Sequence, residues 1–329
     1  MMTTACDPVR VYDCTAPRAM GCGAACYQTL NGCDFLMPAP TPRTIPDPSR
    51  KPRDDELDVF GLTHVGKVRR NNEDAFLLAS IHKRVHVEST SLADHQRLTL
   101  GDERLAVIAM VADGVGGLAS GEEASALALE TAMRYVSETM NCYYRVDAAE
   151  PRLIEALQMA AMRAHDAVRN ARADDGTPRR MATTLTLYMG VWPNYYLLQV
   201  GDSRYYSWRN GTLTQVSRDQ TMAQDLVDQG VLSQTAGRRT PLAHVLSSAL
   251  GGDQAVPVVT HLPADWGNVH LLCSDGLTKH VSDERIAERL ANMTSAKQVC
   301  EALLQDALDG GGTDNITVVV RRFVPLEAR

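Results

Sequence analysis

The order of elements along this 329-residue chain predicts an α+β fold built in layers. Two observations carry the reading. Strand-like apolar runs come in groups, and the long amphipathic segments come in pairs instead of alternating one for one with strands. A repeated unit would imply a solenoid, and no internal repeat is present.

Order begins near Leu57. Val59–Val65 and Asp74–Ala79 read as strands. The polar stretch 80–103 reads as the long loop of a hairpin that returns through Arg104–Ala112 (RLAVIAMVA), an apolar run of buried-strand length. Ser120–Val136 and Glu150–Ala171 read as a helix pair. In the second, Leu153, Leu157, Ala160, Ala161 and Ala164 fall on one helical face. Strands resume at Thr183–Val191, Tyr195–Val200 and Arg204–Trp208, divided by turn residues. Thr221–Gln229 reads as helix and Gln234–Gly252 as an irregular, glycine-bounded flap. Val269–Cys273 is a strand, Asp283–Leu308 one or two helices, and Asn315–Phe323 (NITVVVRRF) a closing strand.

Residues 1–55 differ in kind. The stretch PAPTPRTIPDPSRKPR, Pro38–Arg53, has neither helical nor strand period and too little apolar surface to offset the entropy of ordering it. It reads as a disordered tail, leaving one domain over 56–325. Five of the eight cysteines, Cys6, Cys14, Cys22, Cys26 and Cys33, lie in that tail. No histidine lies among them and only Cys22 and Cys26 are close together. Zinc sites usually show two tight pairs, so a reduced tail is favoured over a zinc module.

Hydrophobic residues make up 44% and charged residues 22%, enough apolar material for a sizeable core. The net charge of −7 argues against a nucleic-acid partner, which normally calls for a basic face. No apolar run approaches the roughly 18 residues of a membrane span. The start of the chain lacks the basic-then-apolar pattern of a signal peptide, so a cytoplasmic protein is expected.

The informative feature is the position of the acids. Asp113 (MVADGVGG), Asp202 (LQVGDSR) and Asp275 (LLCSDGL) each follow an apolar strand and precede a small turn residue. Asp314 (GGTDNITVVV) stands just before a strand, and Glu73 and Asp74 stand together in NNEDAF. One Asp-Gly turn is ordinary. Several carboxylates at converging strand ends repel one another unless hard cations lie between them, and oxygen-rich sites of this kind suit magnesium or manganese. Glycine after Asp113 lets its carbonyl approach an ion. Upstream, GKVRRNNEDAF carries Arg69 and Arg70. A guanidinium fork suits phosphate, and Arg70 reads as a surface residue pairing with an acid.

In this order, GKVRRNNEDAF, VADGVGG, MATTLTL, VGDSR, CSDGL and GTDNITVVV closely resemble the PPM family, the type 2C metal-dependent serine/threonine protein phosphatases, in its bacterial form. The match runs from about Gly61 to Val324. The resemblance implies a four-layer αββα sandwich of two antiparallel sheets flanked by helix pairs. It implies hydrolysis of phosphoserine or phosphothreonine by metal-activated water, with Mn2+ or Mg2+ as two tight ions and a third, weaker one. Asp113 would bridge two ions and the Gly114 carbonyl would bind one of them. Asp275 and Asp314 would complete the first ion. Glu73 would hold the second, with Asp74 in support. Asp202 would share a third ion with Asp275. Arg69 would bind the substrate phosphate, and Asn315 would support Asp314 from behind. The implied partners are phosphorylated proteins, substrates of a serine/threonine kinase, met by a monomer.

The chain departs from the family pattern at His64, Val115, Ala182, His244 and Ser248; the last two lie in the flap and point to an unusual substrate preference. A phosphatase-like regulatory module and a small-phosphoester phosphatase are the alternatives. Every metal aspartate is retained, which speaks against the first.

Overall fold

A computed structural model of the chain describes residues 47, 50–83, 103–115, 119–140, 150–171, 176–177 and 180–326. The readings made for the cysteine-rich residues 1–46 lie outside the described residues. In chain order the elements are β1 (Leu57–His64), β2 (Asp74–Lys83), β3 (Glu103–Val115), α1 (Ala119–Met140), α2 (Glu150–Arg169), β4 (Ala182–Thr183) and β5 (Leu185–Val191). They continue with β6 (Asn194–Val200), β7 (Arg204–Arg209), β8 (Thr212–Gln215), α3 (Met222–Asp228), α4 (Gln234–Arg239) and β9 (Val258–Pro263). The chain closes with β10 (Val269–Cys273), α5 (Asp275–Thr278), α6 (Asp283–Ala291), α7 (Ala296–Asp309) and β11 (Ile316–Phe323).

Two antiparallel sheets result, with strand orders β1-β11-β10-β7-β8 and β2-β3-β5-β6-β9; the short β4 pairs with β3. Strand alternation sorts the side chains into three apolar layers. On β3, Ile108, Met110 and Ala112 face α1 and α2, meeting Ala128, Ala132, Leu157 and Ala161. The neighbours Ala109 and Val111 face the other way, into the space between the sheets, against Leu272 and Val319. On the far side Leu271, Cys273, Val318 and Val320 meet Ile286, Val299 and Leu303 of the second helix pair. Four layers follow, helices outside and sheets inside, as the family resemblance implies. Truncating a fully buried member such as Leu272 is expected to cost about 2–5 kcal/mol, read from denaturant unfolding of Leu272→Ala.

Helix starts are written locally. Thr221, Ser282 and Ser295 stand in extended conformation before α3, α6 and α7, and each side-chain oxygen accepts the backbone N–H three residues on. The inner layer is not wholly apolar. Arg321 is 1% exposed, so the guanidinium needs internal partners. It lies 4.1 Å from the Phe323 ring centroid, also faces Tyr188 and Tyr195, and donates to the Tyr188 hydroxyl. Among the described residues no helix is long and apolar enough to cross a membrane.

The structure differs from the sequence reading in several places, the short helix α5 after β10 among them. Arg50–Asp55, which read as tail, pack on the domain: Arg50 forms a two-pronged pair with buried Glu56, Trp266 Nε1 donates to the Arg50 carbonyl, and Arg104 Nη2 donates to the Pro52 carbonyl. A proline-rich segment docks here through its carbonyls, which periodicity does not register. The edge strands β8 and β9 are absent from the sequence reading, because each pairs on one side only, contains no fully buried residue and is short or mixed in polarity (TLTQ and VVTHLP). The flap contains a short helix, α4, and a 3-10 turn at Pro241–His244.

Candidate metal centre

The acids converge at one end of the sandwich because the strands that carry them end or begin there. Asp74 opens β2 and lies opposite Asp113 in the β2–β3 ladder. Asp202 stands in the β6–β7 turn, Asp275 opens α5 directly after β10, and Asp314 precedes β11. Like charges opposite one another in a ladder destabilise it, so the pair formed by Asp74 and Asp113 needs a compensating reason.

Neutral partners hold the array in place. Asp74 Oδ2 accepts from Ser274 Oγ at 2.7 Å and from Thr317 Oγ1 at 2.8 Å, all three residues buried. The Asp113 backbone N–H donates to Thr184 Oγ1 at 2.9 Å. Asn315 ties the arginine loop to this end: its Oδ1 accepts from the Glu73 N–H at 2.8 Å, and its Nδ2 donates to the carbonyls of Val65 and Asn71. Gly114 is needed for contact, since a Cβ there would lie 2.2 Å from the Gly121 carbonyl oxygen and 2.7 Å from that of Glu73.

Six carboxylates, those of Glu73, Asp74, Asp113, Asp202, Asp275 and Asp314, share this end with two side-chain cations, Arg69 and Lys279. Burial, then the carboxylates of Asp74, Asp275, Asp202 and Asp314, push Asp113 well above the ordinary aspartate range. Burial outweighs the Ser274 and Thr317 hydrogen bonds and raises Asp74 to about 7. Burial and the charges of Asp275 and Asp219 raise Asp202 to about 7. Burial raises Glu73 as well. Asp314 goes the other way: desolvation is outweighed by Lys279 and Arg69, which hold it below the ordinary value. Among the described residues no three carboxylate, imidazole or thiol groups form a ready-made cage. The chemistry of the set nevertheless fits a hard divalent cation. Every donor is oxygen, negative charge is in surplus, and the buried Asp74 Oδ1 has no hydrogen-bond partner.

Repulsion of this kind predicts a pH dependence. Folded protein keeps the protons of Asp74 and Asp202 up to about pH 7, whereas unfolded chain releases them near 3.8. Protonation therefore favours the fold. The contribution of these two groups to stability in chelator is full below the ordinary aspartate value and is lost as pH rises towards about 7. The unfolding temperature in chelator is expected to drop between about pH 5 and about pH 8, with added Mn2+ or Mg2+ raising it most at the upper end. A rise over that range in chelator would count against the clustered carboxylates.

Arg69 stands at the mouth, 48% exposed. Its Nε lies 2.7 Å from Asp314 Oδ1 and its Nη2 donates to Asp314 Oδ2 at 3.0 Å. Arg70 is exposed, in keeping with a surface residue. A cleft of about 760 Å³ runs from Asp202, Asp275 and Lys279 to α3 and α4, with Arg218, Arg238 and His244 among its walls. Of the two flap departures, His244 lines this cleft. Ser248 does not: it is buried, and its Oγ accepts the Val256 N–H at 2.9 Å, a structural brace. His64 accepts the Gly66 N–H on Nδ1 at 2.9 Å and shapes the arginine loop. Ala182 pairs with Val115 at the β3–β4 end, and Val115 offers no proton-transfer group. Sequence reasoning misses Lys279, although its spacing of four from Asp275 on a helix is a usable signal.

Comparison with known proteins agrees with this architecture. The model of the family described as Protein phosphatase 2C matches residues 86–309, which include Asp113, Gly114, Asp202 and Asp275. The chain belongs to the protein phosphatase 2C family. Within it, the chain is 35% identical over 214 residues to the serine/threonine protein phosphatase PstP of Mycobacterium tuberculosis, covering 65% of this chain and 40% of that protein. The chain thus spans less than half the length of that relative. It is 30% identical to the serine/threonine phosphatase stp of Listeria monocytogenes, over 65% of this chain and 83% of that one. The crystal structure of M. tuberculosis PstP superposes with a TM-score of 0.65 at 30% identity, covering 82% of this chain and 99% of that one. A PstP catalytic domain in complex with two manganese ions gives a TM-score of 0.62 at 32% identity, covering 82% and 99%.

Proposed function

We propose that this chain is a metal-dependent protein serine/threonine phosphatase that hydrolyses phosphoserine and phosphothreonine. The single observation that carries the reading is the six-carboxylate array around Asp113 with a half-exposed arginine at its mouth. Asp113, Asp275 and Asp314 would hold one Mn2+ or Mg2+, Asp113 and Glu73 a second, and the Gly114 carbonyl would bind one of the two. When bound, such a pair supplies a water acidic enough to attack phosphorus near neutral pH and neutralises phosphoryl charge. The chain's own groups do the rest. Arg69 forks onto the phosphoryl oxygens and holds the ester in line. Asp74, fixed by Ser274 and Thr317, keeps Asp113 and Asp275 in register from below, and Asn315 holds the Glu73 loop. No cysteine is needed: Cys273 is buried among strand residues and burial pushes its thiol up to about 12, the opposite of an activated nucleophile.

The open cleft beside the centre favours a phosphorylated peptide segment over a small phosphoester. The same reading sets the enzyme in the cytoplasm, as a monomer, opposite a serine/threonine kinase, with residues 1–46 as a tail to the catalytic domain. Rates on a phosphothreonine peptide and on a sugar phosphate, compared at equal Mn2+, test the substrate class. The peptide is expected to be preferred in kcat/KM, and a preference for the sugar phosphate would contradict the reading. Arg69→Ala is expected to raise KM about 10-fold or more with a smaller change in kcat, because a charge-assisted fork on the ground-state phosphate is lost. An unchanged KM would remove Arg69 from phosphate binding.

A further inference from the structure

Two buried arginines stand at the end of the sandwich away from the acids. Arg104 is near the start of β3, the strand that carries Asp113 near its other end. Arg321 is near the end of β11, about 23 Å along the strand from Asp314. Arg104 is 6% exposed and Arg321 1%. Both line one small cavity of about 10 Å³, together with Tyr195, Phe323, Lys51 and Pro52. The last two belong to the docked segment before β1, whose Pro52 carbonyl accepts from Arg104 Nη2 at 2.6 Å.

Three polar groups of this wall, Arg321 Nε, Arg104 Nη1 and the Tyr195 hydroxyl, are buried without a hydrogen-bond partner. Such groups are costly in an interior and call for an occupant. The charges do not balance either. Arg104 has a counter-ion, since its Nη1 lies 2.8 Å from Asp54 Oδ1, although the pair is not aligned as a hydrogen bond. Arg321 has no acid against it among the described residues; its neighbours are the rings of Tyr188, Tyr195 and Phe323. Burial holds the Tyr188 and Tyr205 hydroxyls well above their ordinary range, so neither supplies a negative charge. Ring faces carry only partial negative charge and leave the buried guanidinium a net cation.

We infer that this cavity binds one monatomic anion, a halide such as chloride, held by Arg321 Nε, Arg104 Nη1 and the Tyr195 hydroxyl. Three properties select that class. The volume is on the order of one water-sized species, too small for sulfate, phosphate or an organic acid. The two guanidinium groups can only donate, so an ion that accepts from every side fits better than a water, which must also donate. One negative charge balances the one charge left on Arg321. The bound ion would tie β3 and β11 to the docked segment, and so act on the stability of the fold at a distance from the metal centre.

The test uses bromide as the probe on the full chain. Crystals of protein prepared in bromide are expected to show one anomalous scattering peak between Arg104, Tyr195 and Arg321. At constant ionic strength, the unfolding temperature is expected to be about 3 °C or more higher in chloride than in gluconate, which the cavity cannot admit. That difference is expected to vanish in Arg321→Met, which removes the charge and keeps an unbranched side chain. A cavity that holds only water in the bromide crystals overturns the proposal. So does a wild type equally stable in the two salts, or a folded Arg321→Met that keeps the chloride difference. If the variant fails to fold, the bromide map and the wild-type comparison decide.

Discussion

Asp113→Asn is expected to lower phosphate release by about 10³-fold or more while leaving the protein folded, and in chelator at least as stable as wild type at neutral pH. The two effects have opposite signs for one reason. Asp113 sits buried among the other carboxylates, and burial first, then Asp74, Asp275, Asp202 and Asp314, push its proton affinity up. Removing its charge relieves that repulsion and removes the group that would bridge both ions. Loss of activity through misfolding would show lower stability, so the pair of measurements separates the explanations. Turnover assays and thermal unfolding in chelator check it. Near wild-type turnover would sink the two-ion centre.

The second large effect needs no carboxylate. Gly276 lies in the first turn of α5 next to Asp275, and a Cβ there would lie 1.9 Å from the Asn315 carbonyl oxygen and 2.9 Å from its carbon. Both partners are backbone, so neither can swing away. Gly276→Ala must separate α5 from the Asp314–Asn315 turn, and Asn315 in turn carries the bonds to Val65, Asn71 and the Glu73 N–H. One methyl group therefore displaces Asp275, Asp314 and the arginine loop together. The expected cost is about 3 kcal/mol of stability, with turnover down about 100-fold because the groups no longer meet in register. Denaturant unfolding and kcat measure both, and wild-type values for the variant would show that this close approach does not matter.

Much of the fold and of the centre is legible in the amino-acid sequence. β3, β10 and β11 announce themselves as apolar runs because each is buried on both faces, and α2 because its five small and apolar positions recur at helical spacing. The acids are legible because they stand where those runs stop. What stays hidden is long-range. Ser274 and Thr317 are ordinary hydroxyl residues until the β10–β11 ladder brings both against Asp74. Nothing in RRF marks Arg321 as buried; that follows only when three aromatic rings from two sheets close around it. Arg50–Asp55 resemble a tail because carbonyl docking leaves no periodic trace. Ser248 resembles a substrate determinant in sequence, whereas its bond to the Val256 N–H makes it a brace of the flap.

The most direct test of the centre is phosphate release from a phosphothreonine peptide by the wild-type protein, run with Mn2+, with Mg2+, with no added metal and with excess chelator. Release that requires Mn2+ or Mg2+ and stops in chelator is the expected result. Release that continues undiminished in excess chelator, or none under any metal from folded protein, would contradict a catalytic centre built on Asp113.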